Sequence, residues 1–212
     1  MGSVTNFPGD VVIPGTLRVA GGITPAQARS SLLAESALQA FPIPLTSFRV
    51  FDALNTNLPG TPATDDLGLV GGTFGTATPS LRTEDLKAAG ATNNRARVLV
   101  QLPWEYIAGN DVTLRFHAGM ITTISDGTAT LDCEAYKLQD DPDDAIGSDL
   151  ISTAATTINS TTFANIDFTV TAAALSPGDI LDVRITTAVN DGATGTAVIA
   201  GITSCKLLCD VR

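Results

Sequence analysis

The chain has 212 residues, 44% of them hydrophobic and 16% charged, which suffices for one well-filled core plus an appendage without disulfide staples. Its 12 Lys plus Arg against 22 Asp plus Glu give a net charge of −10, so a phosphate backbone would be repelled and no nucleic acid partner is expected. No run approaches the roughly 18 consecutive apolar residues of a membrane span, and the N-terminus lacks the basic and apolar regions of a secretory signal. No membrane partner is expected, and folding in a cytoplasm is.

The first pattern in chain order is a six-residue repeat. DVVIPG is followed by TLRVAG and then GITP, which places Val11, Leu17 and Ile23 at one position of the unit, Ile13 and Val19 at a second, and Gly15 and Gly21 at its close. Two units cannot cover their own apolar edge, since a solenoid needs at least about three repeats. Sister chains wound around a threefold axis would bury these residues against their equivalents and make a homotrimer. The other solution is an ordinary β-hairpin laid over the following domain, with Pro14-Gly15 as its turn.

A helix start follows. Thr24 is placed as N-cap, Pro25 at the first helical position, and Gln27 where it completes a capping box, so a helix is predicted from Pro25 to about Gln39. Pro42 and Pro44 in FPIPL stop it. This divides the chain into an N-terminal oligomerisation or anchoring segment, 1–44, and a β domain, 45–212.

From Ser47 onward the hydrophobic pattern has period two. In RVLVQL, Val98, Val100 and Leu102 face one side while Arg97 and Gln101 face the other. In DVTLRFHAGM, Val112, Leu114, Phe116, Ala118 and Met120 oppose Thr113, Arg115 and His117. FANIDFTV sends Ala164, Ile166, Phe168 and Val170 inward, and DILDVRITTAV does so with Leu181, Val183, Ile185 and Val189. With SFRVF, LGLVGGTF, TATLDCEAYKL and the closing GTAVIAGITSCKLLCDV, about eight strands are expected, separated by turn clusters such as SPGD. The fold class is mainly β: an antiparallel jelly-roll-like sandwich with a short N-terminal β segment and one α-helix, an immunoglobulin-like sandwich being the nearest rival.

Three cysteines, at 133, 205 and 209, form no CxxC pair, and each falls on the apolar side of its strand, as buried small hydrophobes do. The lone His117 lies on a polar strand face with no nucleophile motif in the chain, so no enzyme is expected. Asp140, Asp141, Asp143 and Asp144, with Asp149 nearby, lack the spacing of a calcium loop and read as solvated, and no cofactor or metal is expected. Trp104 and Tyr106 share the loop PWEY and are the candidate glycan contacts of an alternative reading, a carbohydrate-binding sandwich or receptor-binding tail-fibre component.

The segment PGDVVIPGTLRVAGGITP, a capped helix, and a final hairpin reading LSPGDILDVRITTAVNDGATGTAVIAGITSCKLLCDVR together resemble structural proteins of tailed-bacteriophage virions, of the capsid decoration or head-fibre type. The resemblance implies a non-enzymatic trimer with a jelly-roll body, located in the virion after assembly in the host cytoplasm. Its partners would be the major capsid protein or other virion proteins, met through Val11, Ile13, Leu17, Val19 and Ile23.

Overall fold

The computed structural model describes residues 37–62, 65–73, 75, 77–122, 127–192, 195 and 197–212. The hexad residues Val11, Ile13, Leu17, Val19 and Ile23 lie outside the described residues, as does the expected helix up to residue 36. The described strands are β1 (Ala37–Ile43), β2 (Arg49–Val50), β3 (Ala53–Asn57), β4 (Gly68–Val70), β5 (Ser80–Arg82) and β6 (Gly90–Gln101). They continue with β7 (Val112–Thr122), β8 (Thr128–Lys137), β9 (Thr156–Thr157), β10 (Ala164–Val170), β11 (Ile180–Asp191) and β12 (Ile199–Val211). Two 3-10 turns, Leu45–Ser47 and Ala172–Ala174, are the only helical pieces among the described residues.

The pairing is nested. β1 lies against β12, β6 against β11, β7 against β10 and β8 against β9, all antiparallel. Two further ladders, β12 with β7 and β11 with β8, join these pairs into two sheets. A long hairpin rolled up in this way is a jelly roll, so the fold is the expected antiparallel β-sandwich of that kind. The first sheet runs β10-β7-β12-β5-β4 with β1 also on β12, and the second runs β3-β2-β6-β11-β8-β9.

Alternating side chains of both sheets fill the space between them. Phe116 and Phe168 meet edge to face with ring centroids 5.9 Å apart, and Leu114, Leu131, Leu181 and Ile185 are fully buried around them. Each such side chain contributes about 1.5–3 kcal/mol by leaving water. The expected inward set holds in β6, β7 and β11, and Cys133, Cys205 and Cys209 are all buried. In β10 the pattern fades: Phe168 and Val170 are buried, Ile166 is half-buried and Ala164 exposed. β10 is an edge strand, and the core thins beneath its first residues.

One expectation is corrected outright. Ala37–Gln39, read as the end of a helix, are strand, and β1 belongs to the first sheet through its pairing with β12. Ala37, Leu38, Gln39 and Ala40 are strong helix formers, but their backbone pairs with Leu208–Val211, and tertiary pairing overrides a propensity of a few tenths of a kcal/mol per residue. Pro42 fits this strand because it pairs with β12 alone among the described strands, leaving the other edge where a missing N–H costs nothing.

Candidate binding face

Residues in alternate register on the second sheet point away from the core, and the polar side chains of its strands fall into transverse rows. Register aligns Arg49 of β2 with Arg97 of β6, Arg97 with Arg184 of β11, and Arg184 with Glu134 of β8. One neighbouring row holds Leu99, Asp182 and Tyr136, and the other Arg95, Thr186 and Asp132.

Asp182 is the pivot of this face. Arg97 donates from Nε to its Oδ1 at 2.6 Å, and Arg184 donates from Nε and Nη2 to its Oδ2 at 3.1 and 2.9 Å. The carboxylate is 0% exposed although it points outward, while each arginine side chain keeps 23% exposure. A carboxylate withdrawn from water in this way is tolerable because charge-assisted bonds occupy both oxygens. Arg184 is held a second time, over the Tyr136 ring at 4.5 Å and the Phe51 ring at 6.0 Å, and Arg95 lies over Phe51 at 5.2 Å.

Arg97 is thus anchored through Nε, Arg184 through Nε, Nη2 and its flat face, and Arg95 through its flat face. Among the described residues no protein acceptor meets the terminal nitrogens of Arg97 or Nη1 of Arg184. The surrounding carboxylates have partners of their own: Asp66 Oδ1 accepts the Phe51 amide at 3.2 Å, and Asp132 Oδ1 accepts the Cys133 amide at 3.0 Å. Tyr136, beside Glu134, keeps its proton above the usual phenol range, chiefly through burial and then through the Glu134 charge.

At one end of this face the SPGD turn brings up an apolar margin. Ser176 and Asp179 close the turn, with the Ser176 amide donating to Asp179 Oδ2 at 2.7 Å and Lys137 pairing with the same oxygen at 2.8 Å. Gly178 has φ +84°, and a Cβ added there would meet the Trp104 ring at 2.7 Å, so the indole rests on the bare glycine backbone. Trp104 remains 75% exposed, with Ile180 at 39% and Leu99 at 42% nearby along the strands. A shallow groove beside Leu99, toward β1, is lined by Phe41, Ile43, Pro44, Gln101 and Leu207.

Trp104 is therefore available to a ligand, whereas Tyr106 is not, which corrects the pairing of the two as glycan contacts. Tyr106 is 3% exposed, its hydroxyl donates to the Asn110 carbonyl, and its backbone bridges to Val211. Burial raises its hydroxyl above the usual phenol range. The loop is strapped to the last strand by Ile107 N to the Asp210 carbonyl at 3.0 Å and Asn110 Nδ2 to Asp210 Oδ2 at 2.8 Å. Two positions apart in one turn, the two rings take different directions, and the tyrosine is the one that plugs the sandwich.

The remaining candidates do not join the face. His117 lies on the first sheet, its Nδ1 3.1 Å from Asn165 Oδ1. Asp140, Asp141, Asp143 and Asp144 are exposed, and Asp149 serves structure, its Oδ1 accepting the amides of Ala135 and Ile151 at 2.9 and 3.0 Å. No group of three or more potential metal ligands is brought together among the described residues.

Comparison with known proteins gives no family. No family model matches the chain, and no curated protein does. Among solved structures it is similar to TmCBM61 in complex with β-1,4-galactotriose, at 11% identity over 81% of this chain and 88% of that one, with a TM-score of 0.34. It is also similar to CBM28, a carbohydrate-binding module specific for non-crystalline cellulose, at 7% identity over 74% of this chain and 86% of that one, with a TM-score of 0.36.

Proposed function

We propose that the chain is a non-catalytic binding protein whose sandwich takes carbohydrate on the outer face of its second sheet. The observation that carries this reading is the set of planar polar groups, Arg97, Arg184 and Tyr136, fixed around the buried Asp182 and bordered by the exposed Trp104. Sugars present hydroxyls that need directed donors and acceptors, and C–H faces that pack on an aromatic ring. Side chains already immobilised lose little entropy when a ligand arrives, which raises affinity without added contacts. A glycan array followed by titration calorimetry tests the reading: Trp104→Ala should abolish or strongly weaken binding while leaving the melting temperature within a few degrees. Absence of binding to every glycan class, or binding indifferent to Trp104, refutes it.

A second reading rests on the hexads at 11–23 and on the resemblance to phage virion proteins: a homotrimeric capsid decoration or head-fibre protein. Its N-terminal segment would face the shell, where three weak contacts act together through effective concentration. Light scattering should give three times the monomer mass, and deletion of residues 1–24 should weaken the trimer. Imaging capsids that lack the protein, after mixing with it, should show density at threefold or quasi-threefold points. A clean monomer at micromolar concentration removes this reading and leaves the first untouched.

A further inference from the structure

The face just described holds an excess of hydrogen-bond donors that a neutral sugar does not require. Arg49, Arg95, Arg97 and Arg184 occupy neighbouring positions in a chain whose net charge is −10. Arg49 turns its Nη1 to the carbonyls of Thr46 and Phe48 at 2.8 and 3.1 Å, which leaves three guanidiniums facing out. The acidic groups nearest Arg97 and Arg184 in register are Asp182, Asp132 and Glu134, with Asp66 beside Arg95 and Asp179 at the turn. Asp182 is enclosed by two arginines, Asp66 and Asp132 accept backbone amides, Asp179 pairs with Lys137, and Glu134 stands beside the Tyr136 hydroxyl. Each of these five carboxylates is thus engaged within the protein, while among the described residues no acceptor meets the Arg97 fork or Arg184 Nη1.

We infer that the arginine face recognises an acidic glycan, a polysaccharide carrying carboxylate groups, with Arg97 and Arg184 as the carboxylate-binding residues. This rests on the carbohydrate reading above. A guanidinium whose Nε is tied to Asp182 presents its outer edge in a fixed plane, and that edge matches the two oxygens of a carboxylate. Lysine would supply charge without this planarity. The overall negative charge does not prevent such binding, because it is screened beyond about 8–10 Å at physiological salt while direct pairs are screened much less.

The test measures binding of polygalacturonate, neutral galactan and poly-glutamate to the full chain and to Arg97→Gln, Arg97→Lys, Arg184→Gln and Trp104→Ala, each checked for an unchanged circular dichroism spectrum. Polygalacturonate should bind at least about tenfold more tightly than galactan, and each arginine variant should lose about tenfold for the acidic polymer alone, the scale of one charge-assisted contact. Arg97→Lys keeps the charge and a foldable surface, and should lose most of that affinity as well. Equal binding of the two polysaccharides, still dependent on Trp104, overturns the acidic preference and leaves the carbohydrate reading standing. Poly-glutamate bound as well as polygalacturonate overturns the assignment to a glycan, and no binding to any of the three overturns the acidic preference, while the carbohydrate reading itself is decided by the glycan array.

Discussion

Replacing Asp182 by Asn keeps the shape of the side chain and removes the charge that two arginines surround. The native carboxylate accepts three hydrogen bonds, at 2.6, 2.9 and 3.1 Å, and is wholly shielded from water. Removing one partner of a buried ion pair typically costs about 3–5 kcal/mol. Both arginine side chains are 23% exposed and can turn toward solvent, and the Asn carbonyl still accepts one bond, so the loss should be smaller. The expectation is about 2–3 kcal/mol, which for a domain of this size lowers the melting temperature by roughly 4–12 °C. Urea unfolding followed by circular dichroism is the direct measurement, and the slope with denaturant should not change. A double-mutant cycle with Arg97→Met should return a coupling of at least about 1 kcal/mol. A loss below about 0.5 kcal/mol, the range of an ordinary surface change, would show that the cluster does not hold this face together.

Tyr106→Phe deletes one buried hydroxyl and leaves the Asn110 carbonyl without its donor, which should cost about 1–2 kcal/mol in urea unfolding while ligand binding is unaffected. The cysteines should be unreactive until the chain unfolds: burial pushes the Cys209 thiol up to about 11 and raises those of Cys133 and Cys205 as well, so Ellman's reagent near pH 8 should find no thiol in the native protein and three after denaturation. Asp167 is held below the usual carboxylate range by its hydrogen bonds from Arg115, so its contribution is present above the unfolded carboxylate value and fades as pH falls toward the folded one. The stability difference between the wild type and Asp167→Asn should therefore shrink between neutral pH and about pH 2, and it should be small throughout because the pair is exposed.

The long strands could be read directly from the sequence because one face of each is buried and the other wet, so RVLVQ, VTLRFHAGM and LDVRITTAV carry their period openly. β1 could not, since five of its seven residues are exposed and its composition favours a helix. The candidate face was half visible. Alternation places Arg97 outward, but nothing in the sequence sets Asp182 apart from other acids, and its pairing with Arg97, 85 positions away, depends on register between β6 and β11. Trp104 and Tyr106 share the PWEY loop, and only the course of the backbone through its turn, which sequence does not encode simply, separates them.

The nesting of the strands also dictates an order of assembly. β8 and β9 are close in the chain and can meet early, while β1, the first described strand to be synthesised, must wait for β12, the last. β12 borders β1, β5 and β7 at once, so a chain cut before Ile199 would leave all three with unpaired backbone along one side. During translation that exposure lasts until the final strand leaves the ribosome, and non-local closure of this kind is slow. The closing strand is in this sense a quality gate: a truncated product would aggregate through its open edges rather than persist as a partly working module.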